Sequence, residues 1–200
     1  MAGSEESASP DDVRALFEDS LRVARAFVDA NASAVAAAAD LLIGALAAGG
    51  KVLLFGNGGS AADAQHIAAE LVGRFRDERP GLAAIALTTD TSALTAIAND
   101  YGYEQVFARQ VRALGRAGDV AVAISTSGTS PSVLEGIAAC RELGLHTIGL
   151  AGGTGGALPA LVDCALVVAG TTDTARIQET HITIGHVLCE LIDRRFGDSA

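Results

Sequence analysis

Five short apolar segments alternate with helical patterns through most of this chain, and that alternation restricts its possible folds more than any other feature. The segments are centred on Val52–Phe55, Ala83–Leu87, Val120–Ile124, His146–Leu150 and Cys164–Val168. Val120–Ile124 is apolar without alternation, which is typical of a parallel strand covered on both faces. Strands separated by helices predict an α/β fold, a doubly wound five-stranded parallel sheet with helices on both sides.

The region before the first strand predicts two helices. Residues 1–10 are acidic and polar, and we expect a flexible leader there. Asp11 to about Ala30 is amphipathic, and a second helix is expected from about Ser33 to Ala48, where a glycine pair ends it. Residues 11–200 then form a single domain, which ends in a helix from about Thr174 to Phe196.

Composition and charge limit which binding partners and which cellular compartment we expect for this protein. A formal net charge of −10 and an isoelectric point near 4.7 argue against nucleic acid as the main partner. The N-terminus lacks the regions of a signal peptide, and the stretch from Ala32 to Ala48 is interrupted by Asp40 and Gly44, too weak for a membrane span. The three cysteines lack metal-type spacing, so we expect reduced, buried thiols in a soluble cytoplasmic protein.

A loop rich in hydroxyl groups follows the third strand, from Ser125 to Ser130, with the sequence Ser-Thr-Ser-Gly-Thr-Ser. Pro131 suits the first turn of a helix, so free N–H groups and the helix dipole favour an anion at this loop. The alternative is an N-cap with incidental serines. Five hydroxyls in six residues exceed the needs of one cap, and we predict a phosphate site.

A glycine-rich loop follows the first strand, from Gly56 to Ser60, with the sequence Gly-Asn-Gly-Gly-Ser. Open α/β sheets bind ligands at this end of their strands. The glycine spacing is not that of a dinucleotide fingerprint, and the Gly-Lys-Ser/Thr ending of a P-loop is missing. A tight turn alone would also explain the loop. Together with the hydroxyl loop, it is expected to form the second wall of one ligand crevice.

Histidines and acids lie on the two helices that follow likely ligand loops. His66 and Glu70 are four residues apart and share a helix face, as in many surface hydrogen bonds. The last helix carries, among others, Gln178, Glu179, His181, His186 and Glu190. Imidazole and carboxylate groups are good zinc ligands, and an amide oxygen is a weaker one.

The spacing on the last helix limits how such a metal site could form. The backbones of Gln178 and His186 are about 12 Å apart on a straight helix. Both ligands therefore extend fully toward one metal, or they come from different subunits, or the helix begins irregularly. His181, one turn after Gln178, is expected to support the site or an interface.

These motifs, together with Ala98-Asn99-Asp100 and Arg176-Ile177-Gln178-Glu179, resemble the sugar isomerase (SIS) domain family from about Asp11 to the C-terminus. The resemblance implies a flavodoxin-like fold and a homotetramer with active sites at subunit interfaces. It implies an enzyme that converts sedoheptulose 7-phosphate into D-glycero-D-manno-heptose 7-phosphate. It also implies a zinc ion, with the ligand positions falling on His66, Glu70, Gln178 and His186, of which Glu70 and His186 are the acid–base pair.

The same resemblance implies the substrate contacts. The phosphate-loop positions fall on Ser125, Thr126, Ser127 and Ser130, and the other substrate positions on Asn57, Gly58, Ser60, Glu70, Arg74, Asp100 and Gln178. Ala175 departs from the pattern, since some members carry Asp there. The alternative is a non-catalytic sugar-phosphate sensor, or the relative that associates with the DnaA initiator. That relative lacks the acid and the histidine at the positions of Glu70 and His186, which favours the enzyme here.

Overall fold

The computed structural model describes residues 8–197. Its helices are α1 (Pro10–Ala47), α2 (Gly59–Val72), α3 (Thr91–Tyr101), α4 (Val106–Leu114), α5 (Pro131–Glu142) and α6 (Thr174–Phe196). Its strands are β1 (Val52–Gly56), β2 (Ala84–Ala86), β3 (Val120–Ser125), β4 (His146–Gly152) and β5 (Cys164–Val168). Two short 3₁₀ turns cover Tyr103–Gln105 and Leu158–Ala160.

All five strands pair in parallel, in the order β2-β1-β3-β4-β5. Alternate side chains of β1 enter opposite cores: Val52 and Leu54 pack with α1, α2 and α6, whereas Leu53 and Phe55 pack with α4 and α5. Because apolar side chains are needed on both faces, β1 and β3 are apolar without alternation. The doubly wound α/β fold predicted from the sequence is confirmed.

The prediction of two N-terminal helices is wrong, because α1 is one continuous helix of 38 residues. No glycine or proline interrupts the chain around Ala32, and the Nδ2 of Asn31 donates to the carbonyl of Phe27 at 3.0 Å, so the polar residue is accommodated inside the helix. The predicted leader also ends earlier than expected, since Ser9 caps a helix that begins at Pro10. Residues 1–7 of that leader lie outside the described residues.

By length and composition, α1 is apolar enough to cross a membrane. The helix packs against α6 and β5, and eight of its side chains, among them Val23, Phe27 and Leu42, are buried in the protein. This packing buries part of the apolar surface of α1 inside the protein. Cys140, Cys164 and Cys189 are buried and free, as expected.

Candidate active site

The glycine loop and the hydroxyl loop meet at the point where the strand order reverses, between β1 and β3. The Nδ2 of Asn57 donates to the Oγ of Ser130 at 2.8 Å and to the Oγ of Ser132 at 3.0 Å. The Oδ1 of Asn57 accepts from the hydroxyl of Tyr103 at 2.8 Å. Ligands of open α/β sheets bind at this switch point. The two loops therefore lie side by side at this switch point, and their role as the two walls of one ligand crevice stays a prediction.

Glycine is required at one position in each loop. Gly58 has φ +57° and immediately precedes α2, a backbone conformation that residues with a Cβ rarely adopt. Gly128 has φ +64°, and a Cβ there would collide with the carbonyl of Gly155 in the loop after β4. The hydroxyl loop is thus pressed against the backbone of its neighbour, which fixes its shape.

The hydroxyls of the loop do not all have the same role. Ser125 is buried, and its Oγ accepts from the N–H of Gly128 at 3.2 Å, which braces the turn. Ser127 is more exposed, and its Oγ accepts hydrogen bonds from the backbone N–H and the hydroxyl of Thr129. Ser130 precedes α5 but makes no side-chain cap. The interpretation as an ordinary N-cap therefore fails, and the N-terminus of α5 keeps donors for an anion.

A hydroxyl-lined cavity of about 260 Å³ opens on the other side of the hydroxyl loop. It is lined by Thr126, Ser127, Gly152, Gly153, Thr154, Thr172, Thr174 and Ile177. The sequence analysis missed the three threonines that come from outside the hydroxyl loop. They are scattered along the chain and meet only because β3, β4 and β5 are consecutive in the sheet, so that the segments after these strands lie side by side.

The predicted metal ligands converge where α2 packs on α6. The Nε2 of His66 lies 2.9 Å from the Nε2 of His186 and 3.3 Å from the Oε1 of Glu70, and the three ligand atoms lie within 4.8 Å of one another. Gly185 allows this approach, because a Cβ there would lie 2.6 Å from the Cδ1 of Ile67. All three residues belong to one chain. Glu70 and His186 therefore come together without a contribution from a second subunit.

The donor set fits a zinc ion. Two ligand atoms of a tetrahedral zinc site are about 3.3 Å apart, given bonds of about 2.0–2.1 Å. The separations of His66 from His186 and Glu70 are close to this value. Two imidazoles and a carboxylate are also a usual ligand set for zinc.

Gln178 lies two turns before His186, inside a regular α6 that is capped by Asp173. Of the three alternatives that the spacing left open, an irregular start of the helix is therefore excluded. The amide of Gln178 rests against the backbone of Gly59, where a Cβ would collide with it. In this chain Gln178 thus reaches the glycine loop, and the structure brings together three of the four predicted ligands as a cluster.

His181 is fully buried inside the chain, so it does not belong to an interface. Its Nε2 hydrogen bonds to the carbonyl of Ala151, at the end of β4, at 3.1 Å. Its Nδ1 has no partner among the described residues. Burial lowers the pKa of His181 to about 4, with the hydrogen bond to Ala151 opposing. The imidazole is thus neutral at ordinary pH and anchors α6 to the sheet beside the site.

Asp63 lies one turn before His66 on α2, with a buried Oδ2 that has no partner among the described residues. Burial raises the pKa of this carboxyl group, and the charge of His66 opposes the increase. On the other side of the cluster, the ring of Phe75 packs against His186, with ring centroids 5.5 Å apart. The cluster is therefore enclosed by an acid and an aromatic ring, neither of which the sequence analysis identified.

Of the remaining predicted site residues, one lies beside the glycine loop and two do not. Ser60 is buried in the first turn of α2, beside the glycine loop. Arg74 is in the segment after α2, donates to the carbonyl of Arg76 at 3.1 Å and faces Glu78. Asp100 is exposed on α3 and accepts from Asn99. Within residues 8–197, neither Arg74 nor Asp100 hydrogen bonds to the two loops or to the metal-type cluster.

Sequence reasoning also missed Ser132 and Tyr103, the other two partners of Asn57. Ser132 could have been found, because it extends the run of hydroxyls beyond Pro131. Tyr103 had no signal, because its 3₁₀ turn reaches Asn57 only through the packing of distant elements.

The parallel sheet, the hydroxyl-rich loop at its switch point and the His–Glu cluster on α2 and α6 are the features expected of a sugar isomerase domain. The family model described as "SIS domain" matches residues 16–152, in agreement with the resemblance of the motifs. A phosphoheptose isomerase from Roseiflexus sp. is 57% identical over 178 residues, which cover 89% of this chain and 90% of the relative.

Solved structures give the same result. A phosphoheptose isomerase from Neisseria gonorrhoeae is 49% identical with a TM-score of 0.86, and the match covers 92% of this chain and 98% of that one. A phosphoheptose isomerase from Francisella tularensis is 41% identical with a TM-score of 0.89, covering 94% and 100%. The chain belongs to the phosphoheptose isomerase family of SIS-domain proteins.

Proposed function

We propose that this protein is a ketose–aldose isomerase that converts sedoheptulose 7-phosphate into D-glycero-D-manno-heptose 7-phosphate. The observation that carries the proposal is the His66–Glu70–His186 cluster, which lies on α2, the helix that follows the glycine loop, and on α6, which packs against α2. His66 is seven residues beyond Gly59, about 10 Å along α2. A seven-carbon sugar that is phosphorylated at one end and reacts at the other needs a separation of this kind.

The phosphate is bound by neutral donors in this proposal. Thr126, Ser127 and Ser130 offer hydroxyls, and the N-terminus of α5 adds backbone N–H groups. Asn57 is already held by two serine hydroxyls, so it is positioned before substrate arrives. Such a site binds a dianion without a fixed positive charge, which suits release of the product.

The reaction moves one proton between two carbons. Glu70 removes the proton from C1 of the ketose, and the electron pair of that C–H bond forms the double bond of an enediol. His186 moves a proton between the two oxygens, giving one to O2 and accepting one from O1. Protonated Glu70 then returns its proton to C2, which leaves a carbonyl at C1. The atoms balance without an oxidant or a second substrate.

His66, Glu70 and His186 would hold a zinc ion that supplies Lewis-acid polarisation of the sugar carbonyl. A carboxylate has two oxygens, so Glu70 can serve as a ligand through one oxygen and accept a proton at the other. His66 would then act as a ligand alone, which leaves Glu70 and His186 as the acid–base pair.

We also propose that the active unit is a homotetramer with shared sites. Leu16, Phe17 and Leu21 on α1 are each more than 60% exposed, which is a large apolar area for a free surface. Beside them an apolar cavity of about 490 Å³ is lined by residues of α1 and α6. Arg74 and Asp100, which do not reach the crevice of their own chain, would be supplied to the site of a neighbour.

The test is turnover of sedoheptulose 7-phosphate by the purified chain after chelation and addition of zinc, with the product followed by NMR. We expect the aldose heptose 7-phosphate in the presence of zinc, and the unphosphorylated ketose as a poor substrate. Binding of the sugar phosphate with no turnover under any metal condition would favour the non-catalytic sensor. The proposed compartment is the cytoplasm, which agrees with three free, buried thiols.

A further inference from the structure

An ion pair buried beside the proposed site joins the two helices that carry its catalytic groups. The Nε of Arg79 donates to the Oδ1 of Asp193 at 2.7 Å, and the two side chains are 0% and 2% exposed. Arg79 belongs to the segment between α2 and β2, and Asp193 lies on α6. Within residues 8–197, no other ion pair has both side chains so deeply buried.

Arg79 also fixes the C-terminal end of α2. Its Nη2 donates to the carbonyl of Glu70 at 2.8 Å, and its Nη1 donates to the carbonyl of Leu71 at 2.9 Å. These carbonyls belong to the last turn of the helix, where a cation is favoured and no helical N–H remains to bond them. The backbone of the proposed base is therefore held directly by this guanidinium.

Asp193 fixes the segment after α2 to the helix α6. Its Oδ2 accepts from the backbone N–H groups of Arg76 and Asp77, at 2.7 and 3.1 Å. This bends the segment after α2 so that Phe75, one residue earlier, packs on the ring of His186. Asp193 itself is two turns after His186 on α6. One carboxylate thus braces the helix of His186 and the ring that covers it.

Stability alone is a weak reason for such a pair. Well-packed apolar residues of similar volume are often as stable as a buried ion pair, or more so, because burial of two charges is costly. A pair of this kind can instead define one arrangement of the elements it joins. Here those elements are α2 with Glu70 and α6 with His186.

We propose that Arg79 and Asp193 are positioning residues that set the separation of Glu70 from His186, and with it the rate of proton transfer and the affinity for zinc. The proposal rests on the proposed isomerase function. Neither residue contacts the predicted phosphate loop in the described part of the chain. Substrate binding is therefore expected to be spared.

Arg79→Lys is the primary test, since lysine keeps the charge but lacks the planar fork that reaches Asp193 and two carbonyls together. We expect kcat to fall at least 10-fold, KM to change less than 3-fold, and zinc to bind the chelated protein about 10-fold more weakly. Asp193→Asn tests the same link from α6 with the same expected result, should the first variant fold poorly.

Asp119→Asn is the matched control. Asp119 forms a second, largely buried ion pair with Lys51 at 2.6 Å, between the residues that directly precede β1 and β3, and neither residue belongs to α2 or α6. It is expected to lower thermal stability while kcat and zinc affinity stay unchanged. Folded Arg79→Lys and Asp193→Asn proteins with wild-type kcat and zinc affinity would overturn the proposal. A wild-type chain that binds zinc without turnover would instead contradict the isomerase function. The zinc affinities of the two variants would still test the positioning role.

Discussion

The ring nitrogens of His66 and His186 lie 2.9 Å apart, although 120 residues separate them in the sequence. Each histidine comes from a different βα unit, and the contact depends on the close packing of α2 on α6 at Gly185. The Oε1 of Glu70 is 3.3 Å from the same His66 nitrogen. One chain therefore supplies an imidazole pair and a carboxylate in a geometry suited to a divalent cation.

Removal of the imidazole of His66 or of His186 should abolish the metal site. We expect His186→Ala to weaken zinc binding by at least 100-fold, because a third of the described cluster is lost. His146→Ala is the control, since His146 is exposed at the start of β4 and belongs to neither of the helices that carry the cluster. Titration of chelated protein with zinc measures both. Equal zinc affinity in the two variants would move the metal away from this cluster.

The hydroxyl loop should act on substrate binding. Ser127→Ala and Ser130→Ala should each raise KM by a factor equivalent to about 1–3 kcal/mol, because a charged phosphate loses a donor. Ser125→Ala should differ, since its buried Oγ braces Gly128. We expect that variant to lower the free energy of unfolding by about 1 kcal/mol. Unchanged KM in the first two variants would place phosphate recognition elsewhere.

Mixed oligomers test which residues share a chain. Because Glu70 and His186 meet within one chain, a Glu70→Gln subunit and a His186→Ala subunit each have a broken cluster. Mixing them should restore no activity beyond that of either variant alone. Verified hybrids that recover a substantial fraction of wild-type turnover would show that the catalytic pair is assembled between subunits.

Acid should destabilise the fold through His181. Its pKa is about 4 in the folded chain against an ordinary value of 6.5, so the unfolded chain takes up a proton first as pH falls. The contribution of neutral His181 to the free energy of unfolding is therefore complete above pH 6.5. It is lost as pH falls toward about 4, and the total loss is about 3 kcal/mol. His181→Gln keeps a donor for Ala151 and cannot titrate. Denaturant unfolding of both proteins should show this pH dependence in the wild type alone, and parallel curves would contradict it.

The features predicted correctly from the sequence have local signals. Short apolar segments between helical patterns located all five strands of the sheet, and unbroken apolar runs mark β1 and β3, which are covered on both faces. The glycine and hydroxyl runs marked two loops that Asn57 and Ser130 then join by a hydrogen bond. Strand ends of a parallel sheet share one edge, so that meeting followed from the fold class.

The features that were missed depend on packing between distant segments. Arg79 lies in a charged run that is typical of a solvated surface, yet it is fully buried against Asp193. The continuity of α1 was missed because Asn31 is a weak helix former, and only its hydrogen bond to Phe27 shows how it is accommodated. The meeting of His66 and His186 required knowledge of which helices pack together.

The most direct test of the account compares Glu70→Gln with the wild-type chain. Both proteins are loaded with zinc, and initial rates of sedoheptulose 7-phosphate conversion are measured together with melting temperatures. Glutamine keeps the shape of the side chain but cannot accept the proton, so we expect turnover to fall about 10²- to 10⁴-fold with the fold intact. Activity within threefold of wild type would contradict the assignment of Glu70 as the base, and with it the proposed mechanism.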